Sequence, residues 1–96
     1  MDKNININIV EIKRVASVLS CLENDFLELE KVKHHLSKRR DNLNRLLNGS
    51  EYDKNALKSQ LEMIPVEERK VDDLMCENRR KMTIYSNAMK RLTSIV

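Results

Sequence analysis

The sequence predicts an all-α fold, a long antiparallel two-helix hairpin of the coiled-coil type. Leucines recur at intervals of seven residues, at Leu22, Leu29, Leu36 and Leu43. This spacing keeps one apolar face of a helix turned toward a partner helix. Charged residues make up 34% of the 96 residues and aromatic residues only 3%, a composition typical of long helices. The single glycine, Gly49, lies near the middle and suits one reversal of the chain.

The first helix is predicted over residues 9–47. Residues 1–8, where Asn and Ile alternate, are predicted to form a mobile N-terminal arm. A heptad repeat places apolar side chains at its a and d positions. In this helix the a positions are Ile12, Leu19, Phe26, Lys33, Arg40 and Leu47, and the d positions are Val15, Leu22, Leu29, Leu36 and Leu43.

A loop over residues 48–56 and a second helix over 57–96 follow. Gly49 suits a left-handed C-cap, and Ser50 or Asp53 can cap the second helix. Pro65 removes a backbone N–H, so it either kinks this helix or begins a third one. The second seam has a positions Leu61, Glu68, Met75, Met82, Met89 and Val96, and d positions Leu57, Ile64, Val71, Asn78, Tyr85 and Leu92.

The register of the hairpin follows from the flanking g positions. Antiparallel pairing sets each a residue opposite a d residue, so the two residue numbers of every facing a–d pair sum to the same constant. A short loop allows a constant of 97 or of 104. When the a–d pairs sum to 104, the flanking g positions match apolar with apolar and acid with base. These g pairs are Val18–Ala88, Asp25–Lys81, Val32–Leu74 and Arg39–Glu67. A sum of 97 mismatches the same positions. We therefore predict the register of 104.

Four polar residues interrupt the apolar seam. Lys33, Arg40 and Glu68 occupy neighbouring layers of the predicted register, and Asn78 occupies a d position. Partly buried polar groups of this kind specify alignment more than they stabilise a coiled coil. We predict that all four set the register. The charged cluster beside Pro65 has an alternative interpretation as a hinge or a contact point for a partner.

The apolar surface is wider than one hairpin can cover. It extends beyond a and d through g positions and through Val10, Leu27, Met63 and Ile84. A broad apolar face calls for further helices. We predict self-association or capture of a protein partner through helical faces. The predicted partner-binding residues are Val18, Val32, Leu74, Met75, Met82 and Met89. The three methionines also suit adaptable core packing.

Several functional classes are not expected. The sequence has no phosphate-binding loop, no nucleophile–base pair and no metal-ligand spacing, so we predict no enzyme, no cofactor and no metal. His34 and His35 are adjacent and point about 100° apart on a helix. The basic run over residues 31–40 is opposed by acids on the second helix, which disfavours a nucleic-acid partner.

The predicted location is cytoplasmic. No apolar stretch approaches about 18 residues, so we expect no membrane span. No signal peptide is evident at the N-terminus. Cys21 and Cys76 lack a C-x-x-C spacing and suggest free thiols in a reducing compartment.

The turn region resembles a known family. Its residues Tyr52-Asp53-Lys54, Leu57, Leu61, Val66, Arg69, Val71 and Asp73-Leu74 are similar to the start of the second helix in small stalk proteins of type III secretion and flagellar export, the FliJ, YscO and InvI group. The resemblance covers about a quarter of the chain. It implies an antiparallel hairpin between an export ATPase and an export gate, with a role in handling chaperones. The small helical chaperones of the same systems are an equal alternative.

These observations predict a non-enzymatic coiled-coil interaction protein. The resemblance adds a specific form, a stalk or chaperone subunit in protein transport by a type III secretion apparatus. The alternative from another class of complex is an adaptor or tether subunit of a cytosolic or cytoskeletal assembly. A small nucleic-acid-associated regulator is the third interpretation, and its phosphate contacts would weaken steeply with added salt.

Overall fold

The protein is an all-α helical hairpin. The computed structural model describes the backbone of residues 2–49 and 53–95, and the side chains of residues 9–49 and 53–94. Helix α1 spans Asp2–Leu47 and helix α2 spans Lys54–Ile95. The predicted fold class is confirmed.

Both helices begin earlier than the sequence analysis predicted. The backbone of α1 is helical from Asp2, so the predicted arm over residues 1–8 belongs almost wholly to the helix. This stretch contains no Gly or Pro, and Asn and Ile cost well under 1 kcal/mol each relative to Ala in a helix. The mobility of the arm stays a prediction.

Asp53 caps the N-terminus of α2. Its Oδ1 accepts hydrogen bonds from the backbone N–H of Asn55 at 3.0 Å and of Ala56 at 3.5 Å. The backbone N–H of Leu57 donates to the Asp53 carbonyl oxygen at 3.2 Å, which closes the first helical turn. This geometry is that of a capping residue. The helix therefore starts at Lys54 and shortens the predicted loop. The alternative cap, Ser50, lies outside the described residues.

Helix α1 ends in a tight turn. The N–H of Asn48 donates to the Asn44 carbonyl at 3.3 Å, and that of Gly49 donates to the Leu46 carbonyl at 3.0 Å. The second bond spans three residues, as in a 3₁₀ turn. No described residue has a positive φ, so the left-handed C-cap predicted at Gly49 is wrong. The carbonyls at this end are satisfied by tightening of the last turn instead.

Pro65 lies inside α2 and does not end it. The helix continues from Lys54 to Ile95 with only a minor kink, so the third helix considered for this position does not form. Pro65 lacks the N–H that would bond to the carbonyl four residues earlier. Its side chain is exposed, so the freed carbonyl face can be solvated. The proline therefore costs one hydrogen bond without interrupting the heptad seam.

The hairpin divides into two compact units, each built from both helices. The loop unit comprises residues 28–75 and the terminal unit residues 1–27 and 76–96. In the loop unit the buried core consists of d-position side chains, namely Leu36, Leu43, Leu57, Ile64 and Val71. Five partly buried apolar residues pack against it: Leu29, Leu46, Leu47, Leu61 and Met75. The heptad assignment therefore holds on both helices of this unit.

The terminal unit has a thinner interior. Among its described residues, Val15 is the buried apolar side chain and Asn78 the buried polar one. Both occupy d positions. The remaining seam residues are only partly buried, and they include Leu19, Leu22, Phe26, Met82, Tyr85 and Met89. Two helices alone cover one stripe of each other, so such a unit retains accessible apolar surface.

Candidate protein-interaction surfaces

Contacts between the helices agree with the register of 104. In the loop unit, Lys33 Nζ lies 2.8 Å from Asp72 Oδ1. These residue numbers sum to 105, because Asp72 follows Val71, the residue that faces Lys33 in the register of 104. In the terminal unit, the guanidinium carbon of Arg79 lies 5.4 Å from the centroid of the Phe26 ring, again a sum of 105. A register of 97 would shift each pair by seven residues, roughly 10 Å along a helix. The structure therefore supports the predicted alignment.

The predicted charged cluster of the loop unit is arranged as two separate ion pairs. The Arg40 guanidinium contacts the Glu68 carboxylate, and the side chains are 38% and 20% exposed. Lys33 pairs with Asp72 rather than with Glu68, and both side chains are about half exposed. An exposed pair such as Lys33–Asp72 contributes about 0–1 kcal/mol to the free energy of unfolding. Their geometry suits alignment of the helices more than stabilisation.

Ion pairs predicted at g positions do not form. None of the ion pairs in the described part of the chain joins Asp25 to Lys81 or Arg39 to Glu67. Lys81 Nζ instead lies 3.7 Å from Glu77 Oε1, one turn away on its own helix. Local pairing requires less ordering of a long side chain than reaching across the seam, because the two residues share one rigid helix.

Asn78 is buried without a complete set of hydrogen bonds. It is 8% exposed, and no donor among the described residues reaches its Oδ1. A buried amide oxygen without a donor costs about 1–3 kcal/mol. The predicted register-setting position is therefore inside the terminal unit. Its cost is consistent with a residue that trades stability for alignment.

The predicted partner-binding residues at g are exposed to different degrees. Val32 is 44% exposed and Leu74 is 53% exposed, whereas Val18 is partly buried. Val32 and Leu74 belong to the same unit and flank the same side of its seam in the register of 104. They form an open apolar pair, which we call the Val32–Leu74 pair. A helix seated beside the seam would contact both side chains.

The methionine stripe is divided between the two units, with Met75 in the loop unit and Met82 and Met89 in the terminal unit. Met75, Met82 and Met89 are all partly buried. Met75 packs against the core cluster of the loop unit, as a core residue would. Met82 lies in the terminal unit, where it is one of the residues that line an open groove. The stripe therefore serves core packing at Met75 and remains accessible at Met82.

Further apolar side chains lie exposed on both units. The four residues that the sequence analysis placed outside the seam, Val10, Leu27, Met63 and Ile84, are between 54% and 63% exposed. Ile9 at 42% and Val66 at 46% join them. Single exposed apolar residues are ordinary on protein surfaces. In the loop unit, Met63 and Val66 occupy c and f positions of α2, eleven and eight residues from Leu74, so they lie apart from the Val32–Leu74 pair.

A shallow open groove along one face of α2, in the terminal unit, was not predicted from the sequence. It has a volume of about 330 Å³ and is lined by Arg79, Met82, Thr83, Ser86, Asn87 and Lys90. We call it the α2 groove. The Thr83 hydroxyl donates to the Arg79 carbonyl at 3.1 Å. The sequence carries one signal for it, because residues 78–96 contain no Asp or Glu but five Lys or Arg.

The basic run over residues 31–40 is substantially paired within the hairpin. Lys31 lies 3.2 Å from Glu28, Lys33 contacts Asp72 and Arg40 contacts Glu68. These ion pairs support the sequence-based interpretation of a solvated, paired face. Cys21 and Cys76 are exposed free thiols.

Across the described side chains, no group of three or more His, Cys, Asp and Glu is placed to hold a metal ion. Neither helix, over its described length, has a segment that is long and apolar enough to cross a membrane.

Fold and surface together define the protein class as a two-helix hairpin with accessible helical faces. The chain matches no protein-family model, no curated protein and no solved structure at a significant level.

Proposed function

We propose that the protein is a non-enzymatic interaction subunit that binds a helix of a partner, or of a second copy, beside its coiled-coil seam. The observation that carries this proposal is the Val32–Leu74 pair. Both side chains are about half exposed although they flank a well-packed core. A position adjacent to a rigid seam suits an interaction site, because little ordering is needed on binding.

The apolar surface of the loop unit is large enough to matter energetically. Complete burial of a Val, Leu or Met side chain contributes about 1.5–3 kcal/mol. Val32, Leu74, Met63 and Val66 each retain roughly half of their surface for such burial. Helix-in-groove recognition commonly uses a few apolar anchors at helical spacing. A partner helix seated on the Val32–Leu74 pair would bury the exposed part of both side chains and gain this free energy at two positions.

The specific form of the proposal is a cytoplasmic stalk or chaperone subunit of a type III secretion or flagellar export apparatus. Its support is the resemblance of the turn region, together with a hairpin architecture of the kind that the resemblance implies. The alternative is an adaptor or tether subunit of another assembly. Co-purification with an export ATPase at stoichiometric amounts would favour the first form, and a different stable partner would favour the second.

Sedimentation velocity tests the interaction proposal. At micromolar concentration we expect a dimer or larger species, or a marginally stable monomer that gains helicity and melting temperature when its partner is added. Leu74→Glu should abolish either effect, because it places a charge at the centre of the apolar pair. Asn44→Glu is the matched control, since Asn44 is exposed on the other flank and the charge change is equal.

A very stable monomer without affinity for any co-purifying protein would contradict the proposal. Equal loss of association in the Leu74→Glu and Asn44→Glu variants would also contradict it, because the effect would then follow net charge rather than the Val32–Leu74 pair. Circular dichroism of both variants should show that the helices are retained.

A further inference from the structure

The α2 groove differs in chemistry from the rest of the surface. Its lining combines the cations of Arg79 and Lys90, the hydroxyls of Thr83 and Ser86, the Asn87 amide and the thioether of Met82. No acidic residue follows Glu77 in the sequence. Both charged side chains that line the groove are thus positive, and the Met82 side chain in its lining is apolar.

The net charge of the chain is concentrated in the same unit. In the terminal unit, residues 1–27 and 76–96 contain eight Lys or Arg and five Asp or Glu. In the loop unit, residues 28–75 contain ten of each. The formal charge of +3 therefore belongs entirely to the terminal unit. Such an imbalance attracts an anionic partner to this unit.

The two ends of the groove are unequal. Arg79 is stacked over Phe26, and in the register of 104 it lies near Glu23. Lys90 lies nearest Arg14 in that register, and Arg14 is already paired with Glu11 at 3.6 Å. The cation at the Lys90 end therefore has less opposing charge nearby. This makes Lys90 the stronger attachment point for an incoming carboxylate.

We infer that the α2 groove binds an acidic amphipathic helix of a protein partner. Arg79 and Lys90 are eleven residues apart on one helix, roughly 16 Å. A partner helix with acidic residues at the same separation and an apolar residue between them would match both cations and Met82. The Arg79 guanidinium suits bidentate pairing with a carboxylate, and Lys90 supplies a second charge.

A protein helix fits these features better than a nucleic acid. Phosphate tracks on nucleic acid call for closely repeated cations, and single strands also call for aromatic stacking platforms. The groove has uncharged side chains between its two cations, and no aromatic residue lines it. The Met82 side chain in the lining also suits contact with an aliphatic side chain of a partner helix. This inference rests on the proposed interaction role but uses a surface separate from the Val32–Leu74 pair.

A helical peptide with two Glu residues eleven positions apart and a Leu three positions from one of them, the spacing of Arg79, Met82 and Lys90, provides the probe. We expect it to bind the full chain, and Lys90→Glu to weaken binding about tenfold, as for loss of one close charge pair. Arg91→Glu is the matched control because it changes net charge equally from a neighbouring position outside the groove lining. It should change affinity by less than about twofold. Asn87→Glu, a second groove variant, should weaken binding as Lys90→Glu does.

Several results would overturn the inference. These are absence of peptide binding, equal binding of a peptide with Gln in place of Glu, and equal effects of Lys90→Glu and Arg91→Glu. Tighter binding of duplex DNA or of phosphatidylserine vesicles than of the peptide would assign the surface to another class of partner. Leu74→Glu should leave peptide affinity unchanged, which separates failure of this inference from failure of the proposed function.

Discussion

Lys33 Nζ lies 2.8 Å from Asp72 Oδ1, and this ion pair joins an a position of α1 to an e position of α2. Both side chains are about half exposed. Such a pair adds little to the free energy of unfolding. It does discriminate between registers, because a shift of one heptad would separate the two residues by roughly another 10 Å.

The first prediction concerns this register. In a variant with Cys21 and Cys76 replaced by Ser, cysteines at positions 32 and 74 should form an efficient disulfide within the hairpin. Facing g positions can bring the Cβ atoms within about 4–5 Å. Non-reducing electrophoresis and mass spectrometry would detect the bond. Preferential crosslinking of a pair at positions 32 and 67 instead would contradict the register of 104.

The second prediction concerns Glu68. Both Glu68→Ala and Glu68→Leu remove the acid that contacts Arg40, but Leu restores apolar area opposite Leu36 in this register. Arg40 is 38% exposed and can extend to water when its partner is lost. We expect Ala to be more destabilising than Leu by about 1 kcal/mol or more in chemical denaturation. If Ala equals or exceeds Leu in stability, Glu68 does not face the seam.

The third prediction concerns Asn78. Asn78→Leu removes a buried amide whose Oδ1 has no donor among the described residues. We expect the free energy of unfolding to rise by about 1–3 kcal/mol. The same variant should lose uniqueness of alignment, visible as broadened amide resonances or mixed oligomers. Asn78→Ala, which leaves a cavity instead, should not be stabilising, and a large stability loss in the Leu variant would contradict the prediction.

The fourth prediction concerns the cap of α2. Asp53→Ala removes the acceptor of two backbone hydrogen bonds, so the free energy of unfolding should fall by about 1 kcal/mol. Asp53→Asn keeps an acceptor oxygen and should retain most of the stability. Thermal melts of the three proteins would measure the difference. Equal stability of the Ala and Asn variants would show that the capping bonds contribute little in solution.

The heptad pattern was sufficient to predict the core but not its polar partners. Leu36, Leu43 and Ile64 are buried at d positions because the period of the pattern fixes which face meets the other helix. The sequence placed Lys33 near Glu68 but did not predict its ion pair with Asp72, because a long flexible side chain selects its partner by geometry that spacing alone does not give. The early start of α1 was missed since alternation of Asn and Ile carries no helical signal, although it does not oppose one.

Candidate surfaces were predictable to different degrees. The exposure of Leu74 and Met63 followed from their positions outside the seam. The α2 groove could not be predicted from heptad position. Its residues belong to four different heptad positions and become a group only when the helix is folded. The absence of acids after Glu77 was the available clue.

The uneven core has a consequence for motion. Of the buried apolar side chains that the structure describes, only Val15 belongs to the terminal unit. Amide hydrogen exchange should therefore be slowest around Leu43 and Ile64 and faster near the chain ends, since local opening needs less free energy where few apolar contacts are lost. A ligand held by the α2 groove would slow exchange in the unit that opens most readily.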